Sequence, residues 1–556
     1  MKKVFNFIVM LLVPLQMCLA GNVKKISVTF NKNDFTLSMN SSGLLDIISN
    51  KHVASYGEET SEPGLPLIPV NVLIPEGNSF ASLTVSSNKS LIRENVTIAT
   101  NPRMMPTINF AQEATEGLPK YANKVYPISS GVYKCTSCMD GYTILNFLVS
   151  PFEYDASSKK LYLNESITLS INLENSNEKT TTLSMNGKNI SDIIKSLVIN
   201  GEEADARNIS TQNASTNSAR ENIEYLIITS RALSSYFQPI VQWKKMKGIS
   251  SKIIALEDIE ANYTGATTPH KIKSCLYDLY KNNGLKYVLL GGDDTIVPKA
   301  SCYVSAGGYT ENEMPTDLFF ACFGGNFDWD GNKNGIYGET TDGIDMSPSI
   351  YVTRIPIRTS TDVVAFSTKL LAYEKTPLKG GWGNNILMSG TQLWANYSST
   401  QSDAEAKGDN LYTNFIKPYW IGTRKKFYDT YTDFTGGADY TLNTANLQEQ
   451  FANGYNFFDI ATHGSPNLWA LESGRYYTSD AVSMKSNGFT IITTMACQTN
   501  QFDSPTYEPC LSEAFMRNAN NGVVAYLGCS RYGWGYSGGT SSLGPSLQYE
   551  AQFYQN

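Results

Sequence analysis

From residue 225 onward, short runs dominated by apolar residues alternate with stretches of helical periodicity, and this punctuation restricts the chain more than any other feature. The runs are Tyr225–Thr229, Ser251–Leu256, Tyr287–Leu290, Ile350–Thr353, Ile386–Met388, Phe457–Ala461, Ile491–Thr494 and Val523–Leu527. Strands that are apolar on both faces need cover on both faces, which crossover helices supply in a parallel sheet. Helix signals fall between the runs: a stretch ending near Lys247-Gly248, and Thr268-Pro269 ahead of Ile272, Cys275, Leu276 and Leu279 on one face. The pattern predicts an α/β unit with a mostly parallel sheet.

Before residue 200 the period is different. In Leu161–Leu173, Leu169, Ile171 and Leu173 alternate with Thr, Ser and Asn, the mark of strands with one face buried. This first unit is expected to be largely β and sandwich-like. Between Gly201 and Asn222 the chain turns polar and reads as an exposed linker, with Arg207 and Arg220 as candidate processing sites. At 556 residues the chain exceeds what one core usually supports, so two or three units are expected.

The N-terminus carries Lys2 and Lys3, an apolar run from Val4 to Leu15, and Cys18-Leu19-Ala20 before Gly21, the order of a secretory signal cut after Ala20. Eight cysteines remain, at 135, 138, 275, 302, 322, 497, 510 and 529, with one Cys-x-x-Cys; this is too few for a disulfide scaffold, and a zinc site would need a second pair. A net charge of −7 gives no electrostatic case for nucleic acid, and short basic clusters such as Arg424-Lys425-Lys426 read as solvated surface.

In open parallel sheets, ligands and chemistry gather at the carboxyl ends of strands. Three such ends carry reactive side chains: Asp293-Asp294, His463-Gly464 and Cys497. A cysteine nucleophile needs a base, and imidazole suits that task. Of the three histidines, His52 lies in the β-rich unit and His270 in the first turn of an amphipathic helix, so both are expected to be surface or capping residues. His463 alone follows a buried strand, and Cys497 comes 34 residues later, a span that permits one crossover and places both on one rim.

Thr462-His463-Gly464 and Met495-Ala496-Cys497 resemble the histidine and cysteine motifs of the gingipains, the caspase-like cysteine peptidases of family C25. The resemblance continues through Cys510–Arg517 and Gly522–Tyr526, and Glu62–Val70 resembles a segment of gingipain propeptides. It implies a signal over 1–20, a β-rich propeptide with linker over 21–220, and a caspase-like catalytic domain with subdomains at 221–375 and 376–556, the last truncated. It further implies a secreted or outer-membrane cysteine endopeptidase made as a zymogen, with protein or peptide substrates and outer-membrane secretion machinery as partners. A sortase or maturation peptidase of a secretion system and a catalytically dead binding homologue are the alternatives; the intact pair argues against the last.

By that resemblance Cys497 attacks the scissile carbonyl, His463 protonates the leaving amine, and the N–H groups of Gly464 and Cys497 hold the oxyanion. Where Arg-specific gingipains place an acidic residue near the histidine, this chain has Gln392, with Asp345 as an alternative partner. Gln401-Ser402-Asp403 resembles the segment that supplies their pocket carboxylate, and Asp403 would select Arg or Lys with Trp534 as the wall along the side-chain stem. The competing reading is that Asp403 caps a helix beginning near Ala404.

A further loop, Asp328–Glu339, places oxygen side chains at alternate positions and closes on an acid. Asp328, Asp330, Asn332, Asn334 and Glu339 are therefore expected to hold a structural Ca²⁺ that rigidifies the loop.

Overall fold

The computed structural model describes residues 22–40, 42–107, 119, 121–139, 141–176, 187–204, 221–375, 381–394, 401–436, 438–520, 522–536 and 544–555. The leader, Arg207 and Arg220 lie outside these residues.

The first unit is built from antiparallel strands. Lys160–Asn175 runs through its larger sheet, paired with Asn22–Thr29, Asn78–Arg93 and Phe152–Asp155. Ile68–Ile74, Tyr142–Val149 and Gly131–Met139 form a second sheet. In Lys160–Asn175 the side chains of Ile167, Leu169, Ile171 and Leu173 are buried while their neighbours are not, so strict alternation gives the sheet one apolar face. That face and the inner face of the second sheet meet in one core, which joins Leu169 and Ile171 to Val70, Val72, Leu145 and Phe147. This is the β-sandwich-like arrangement expected.

The rest of the chain holds two all-parallel sheets. The first has the order Ser251–Ala255, Tyr225–Thr229, Tyr287–Gly291, Tyr351–Ile355. The second has the order Thr423–Tyr428, Asn385–Gly390, Phe457–Ala461, Thr490–Thr494, Val523–Leu527. Helices Gln238–Met246 and Ser360–Lys375 contribute to a core that includes Ile227, Leu289 and Ile355 of the first sheet and Leu387, Phe458 and Ile492 of the second. That core is continuous across both sheets, so they pack against each other. Ile272, Cys275, Leu276 and Leu279 are buried on Thr268–Asn283, as their spacing requires.

One strand departs from expectation. Arg424-Lys425-Lys426 lies on Thr423–Tyr428, at the edge of the second sheet, and is half-buried and not solvated surface. Arg424 reaches Asp409 at 2.7 Å, and Lys426 reaches Glu405 at 3.0 Å and Asp409 at 2.8 Å, so the basic stems cover the edge while their heads pair with Asp403–Leu411.

Of the two histidines expected to be surface or capping residues, neither caps a helix: His270 is buried inside its helix and His52 is half-buried. His270 is buried, with Nδ1 2.7 Å from Thr267 Oγ1 and its ring edge-on to Phe319. His52 packs edge-on to Phe30. The eight described cysteines are all free thiols.

Candidate active site

Phe457–Ala461 and Thr490–Thr494 are adjacent parallel strands, so the residues that follow them emerge on the same rim. His463 follows the first and Cys497 the second, and both are buried. Thr462 steadies the histidine's approach, since its hydroxyl meets Thr391 Oγ1 at 2.8 Å and donates to Ala470 O, while Ala470 N donates to His463 O at 2.9 Å. Gln498, directly after the cysteine, holds a left-handed conformation with φ of 62°, pinned by a 2.5 Å bond from its N–H to Arg531 O. Gly464, the residue after the histidine, pairs opposite Trp469, and a Cβ there would lie 2.9 Å from Cys497 O.

A residue from the first unit sits between the two side chains. Met104–Pro106 pairs antiparallel with Trp534–Tyr536, in the register Pro106 to Trp534, Met105 to Gly535 and Met104 to Tyr536. The strand delivers Thr107, whose N–H donates to Gly533 O at 2.9 Å and whose carbonyl oxygen bonds His463 Nδ1. The Thr107 hydroxyl lies 3.2 Å from Cys497 Sγ, and Gly533 N–H also points at that sulfur from 3.2 Å. No larger residue would fit at 533, because a Cβ there would lie 1.8 Å from Met495 O.

Burial shifts the pKa of both side chains of the pair. Burial pushes the Cys497 thiol up, against the hydrogen bonds from Thr107 and Gly533 that favour the thiolate. Burial also lowers the His463 pKa, against the Thr107 and Leu393 carbonyls, the latter 3.1 Å from Nε2. A thiol that burial holds in its protonated form is a weaker nucleophile than the thiolate. The Thr107 carbonyl oxygen is moreover turned to the imidazole, so Thr107 occupies the cleft without presenting its carbonyl for attack.

No carboxylate orients the imidazole through the residues expected. Gln392 gives its N–H to Asp429 at 2.7 Å and its side-chain amide to Trp394 O at 2.7 Å, and it is the neighbouring Leu393 carbonyl that meets the ring. Asp345 accepts from Cys138 N at 2.7 Å and Ser347 N at 2.9 Å, so it ties the first unit to the catalytic unit and is not the partner of His463.

Asp403 opens helix Asp403–Leu411, but the cap is Ser402, whose hydroxyl accepts from Glu405 N at 3.2 Å. Asp403 itself is fully buried; Oδ1 accepts from Leu393 N at 2.7 Å and Oδ2 has no hydrogen-bond partner. Burial pushes its pKa up to about 6, although Lys407 one turn along pulls it down. Trp394, not Trp534, stands on the Asp403 side of the cleft. A Cβ on Gly535 would lie 3.0 Å from Trp394, whereas the adjacent Trp534 packs on Gly307 and Tyr309. Side chains alternate along a strand, so Trp534 points to the opposite face from the one expected.

The Asp328–Glu339 loop is folded on itself by turns. Asp330 accepts from Asn334 N and Gly335 N at 3.0 and 3.2 Å, and Asn332 and Asn334 both turn Nδ2 to Glu339 Oε2, at 3.0 and 2.6 Å. Asp342, outside the expected set, accepts from Gly331 N at 3.0 Å and Glu339 N at 2.8 Å. Asp328 stands apart, facing the buried Lys273, whose pKa burial lowers to about 7 while Cys322 and Asp328 raise it. Among the described residues no three His, Cys, Asp or Glu side chains gather as a metal-holding group. The loop mixes carboxylates with amides instead, and the amide orientations are set by Asn332 Oδ1, which accepts from Asn334 N at 3.0 Å, and Asn334 Oδ1, which accepts from Ile336 N at 2.8 Å.

Comparison with known proteins places these features in a family. The model of peptidase family C25 matches residues 218–556, and that of the C25 propeptide matches residues 15–209. Gingipain R1 of Porphyromonas gingivalis is 20% identical over 481 residues, which cover 84% of this chain and 42% of that protein. Gingipain R2 of the same organism is 20% identical over 525 residues, covering 90% of this chain and 63% of that protein, so the chain spans less than two thirds of either relative. A crystal structure of the Arg-specific cysteine proteinase gingipain R aligns with a TM-score of 0.42 and 19% identity, over 56% of this chain and 64% of that one.

Proposed function

Since the chain belongs to peptidase family C25 and carries that family's propeptide, we propose that it is a cysteine endopeptidase held latent by its own first unit. The observation that carries this reading is Thr107, seated between His463 and Cys497 by strand pairing. In the active form a substrate strand takes the place of Met104–Thr107. Cys497 Sγ attacks the scissile carbonyl, the N–H groups of Gly464 and Cys497 take the oxyanion, and His463 gives a proton to the leaving amine. Water then hydrolyses the thioester. The thiolate can itself balance the imidazolium once the cleft is open, which makes a third carboxylate dispensable.

Asp403 is the proposed selector of Arg or Lys before the cut bond. In its support, Oδ2 is buried without a hydrogen-bond partner, while Oδ1 accepts from Leu393 N, next to Trp394. The expected leader would export the chain, and no helix among the described residues is long and apolar enough to cross a membrane. The test of the whole reading is iodoacetamide labelling before and after limited trypsin digestion. Cys497 should react faster, and peptide hydrolysis should appear, only after the first unit is cut away; a precursor that is as active as the cut protein would refute latency.

Ca²⁺ is proposed for Asp330, Asn332, Asn334 and Glu339, with Asp342 in place of Asp328. Bound there it would draw these side chains together and so stiffen the turn. EDTA should lower the melting temperature, Ca²⁺ should restore it, and Asp330→Ala should remove the response; an identical melting temperature with and without chelator would count against the ion.

A further inference from the structure

We infer that the hairpin of Ser301–Ala306 and Tyr309–Pro315, sent across from the first parallel sheet to the cleft of the second, selects an apolar side chain at the second residue on the amino side of the cut bond. This rests on the peptidase reading above. The register supplies the position: Thr107 stands at the His463–Cys497 pair, so Pro106 occupies the place of the preceding residue. Pro106 is paired directly opposite Trp534, and directly opposed residues of an antiparallel pair project to the same face. On that face Trp534 lies edge-on to Tyr309, with ring centroids 6.1 Å apart, and Tyr309 lies edge-on to Tyr532 at 5.4 Å.

The hairpin is held against the cleft along its length. At its turn, Gly307 has φ of 55°, and a Cβ there would come within 2.8 Å of Trp534 and 2.9 Å of Met104 O, so the turn touches both the wall and the bound strand. Along its second strand, Glu311 pairs with Arg531 at 3.5 Å, Glu313 O accepts from Arg531 at 3.4 Å, and Met314 Sδ accepts from Ser530 at 3.8 Å. Arg531 is also gripped by Asp503, at 2.8 and 2.9 Å, and its carbonyl pins Gln498 beside the cysteine. The Arg531 charge beside the wall is therefore already paired with Glu311 and Asp503, which leaves aromatic surface for a substrate side chain.

Two measurements decide the matter. In the intact precursor, Pro106→Asp should speed iodoacetamide labelling of Cys497 by about tenfold or more, while Pro106→Val stays near the wild-type rate. In the trypsin-converted protein, peptides that share the residue before the cut bond and differ at the second should show kcat/KM about tenfold higher for Val or Phe than for Asp. Tyr309→Ala should shrink that ratio to about threefold or less, mostly through KM. Equal labelling of Pro106→Asp and wild type, or a ratio that Tyr309→Ala leaves intact, would overturn the inference. If no peptide is cut at all, the peptidase reading has failed by itself, and the labelling contrast still reports on the wall.

Discussion

The two parallel sheets place acidic or nucleophilic residues at the same topological point and use them in opposite ways. After Tyr287–Gly291, Asp293 is fully buried; it binds the Arg358 guanidinium and accepts from Thr295 N and Oγ1 at 3.0 and 2.6 Å. Arg358 continues to Glu508, which pairs with Arg517, so the strand end of the first sheet anchors the loop and helix that follow the cysteine. After Phe457–Ala461 and Thr490–Thr494, His463 and Cys497 both bond Thr107, a residue of the first unit. A strand end is structural where a fixed ion pair satisfies its side chain, and in the proposed latent peptidase it is reactive where the partner is removable.

Substitution at the two rims should separate these uses most sharply. In the trypsin-converted protein, Cys497→Ala and His463→Ala should each lower peptide hydrolysis by a factor on the order of 10⁴ or more with an unchanged melting curve, since the pair acts as a unit. Asp293→Asn should instead keep most of the turnover and cost about 2 kcal/mol in urea unfolding, the loss expected when the buried carboxylate is removed and a part-exposed Arg358 is left with Glu508 at 3.4 Å. Turnover surviving in purified Cys497→Ala would end the comparison.

A second, smaller effect lies in the strand that fills the cleft. Met105 packs against the cluster of Leu393, Trp394, Met495 and Leu547. Met105→Asp should therefore place a carboxylate in an apolar site and loosen the first unit. Alkylation of Cys497 in the intact precursor should rise by about tenfold or more, the factor carried by some 1.4 kcal/mol. Labelling at the wild-type rate would mean that the strand's side chains do not hold it in place.

Third comes the pocket. Asp403→Asn should lower kcat/KM for peptides cut after Arg or Lys by about tenfold to a hundredfold, the effect of removing a charged partner from a desolvated pair. Hydrolysis after Leu should hardly change. Equal cleavage after Leu and Arg by the unmodified protein would remove Asp403 from the specificity argument and leave it as a buried brace for Leu393.

What could be read beforehand follows from the range of the interactions. The α/β punctuation and the alternation in Lys160–Asn175 are local patterns, and the rim holding His463 and Cys497 follows from strand adjacency. The edge strand Thr423–Tyr428 is hidden because Arg424, Lys425 and Lys426 give it a surface composition, while what makes it a strand is its pairing with Asn385–Gly390 and what pairs its charges are the carboxylates of Asp403–Leu411. Thr107 had no local signal, since three paired residues between Pro102 and a threonine carry no periodicity and their partner lies more than 400 residues away. The face of Trp534 was misjudged because it depends on the register with Pro106, whereas Gly533 and Gly535 beside it mark where backbone passes close to other groups.

The last contrast is between a carboxylate that faces a cation and one that faces another carboxylate. Beneath the catalytic rim, Asp459 on Phe457–Ala461 and Glu550 on the final helix, Pro545–Gln555, are both buried and lie against each other. Asp459 accepts from Thr493 at 2.8 Å, which favours its ionised form, but burial dominates and raises its pKa to about 6. Glu550 is driven up further, by burial and then by the Asp459 charge. A carboxyl whose folded pKa lies above its unfolded value binds its proton more tightly in the folded state. Its contribution is therefore complete below the unfolded pKa near 4 and is lost as pH rises through about 6. Glu550→Gln removes one of the two charges while keeping the shape and a hydrogen-bonding end. It should raise stability at pH 8 by about 1 kcal/mol, more than at pH 4, where both carboxyls are already protonated in the folded protein. The same helix supplies Ser546, which accepts from Trp534 N at 2.9 Å, so tighter docking should also slow Cys497 alkylation in the precursor at pH 8. Urea unfolding curves for the two proteins at pH 4, 6 and 8 test the sign: a Glu550→Gln advantage that is equal at all three, or larger at pH 4, would mean that the two carboxyls do not share a proton.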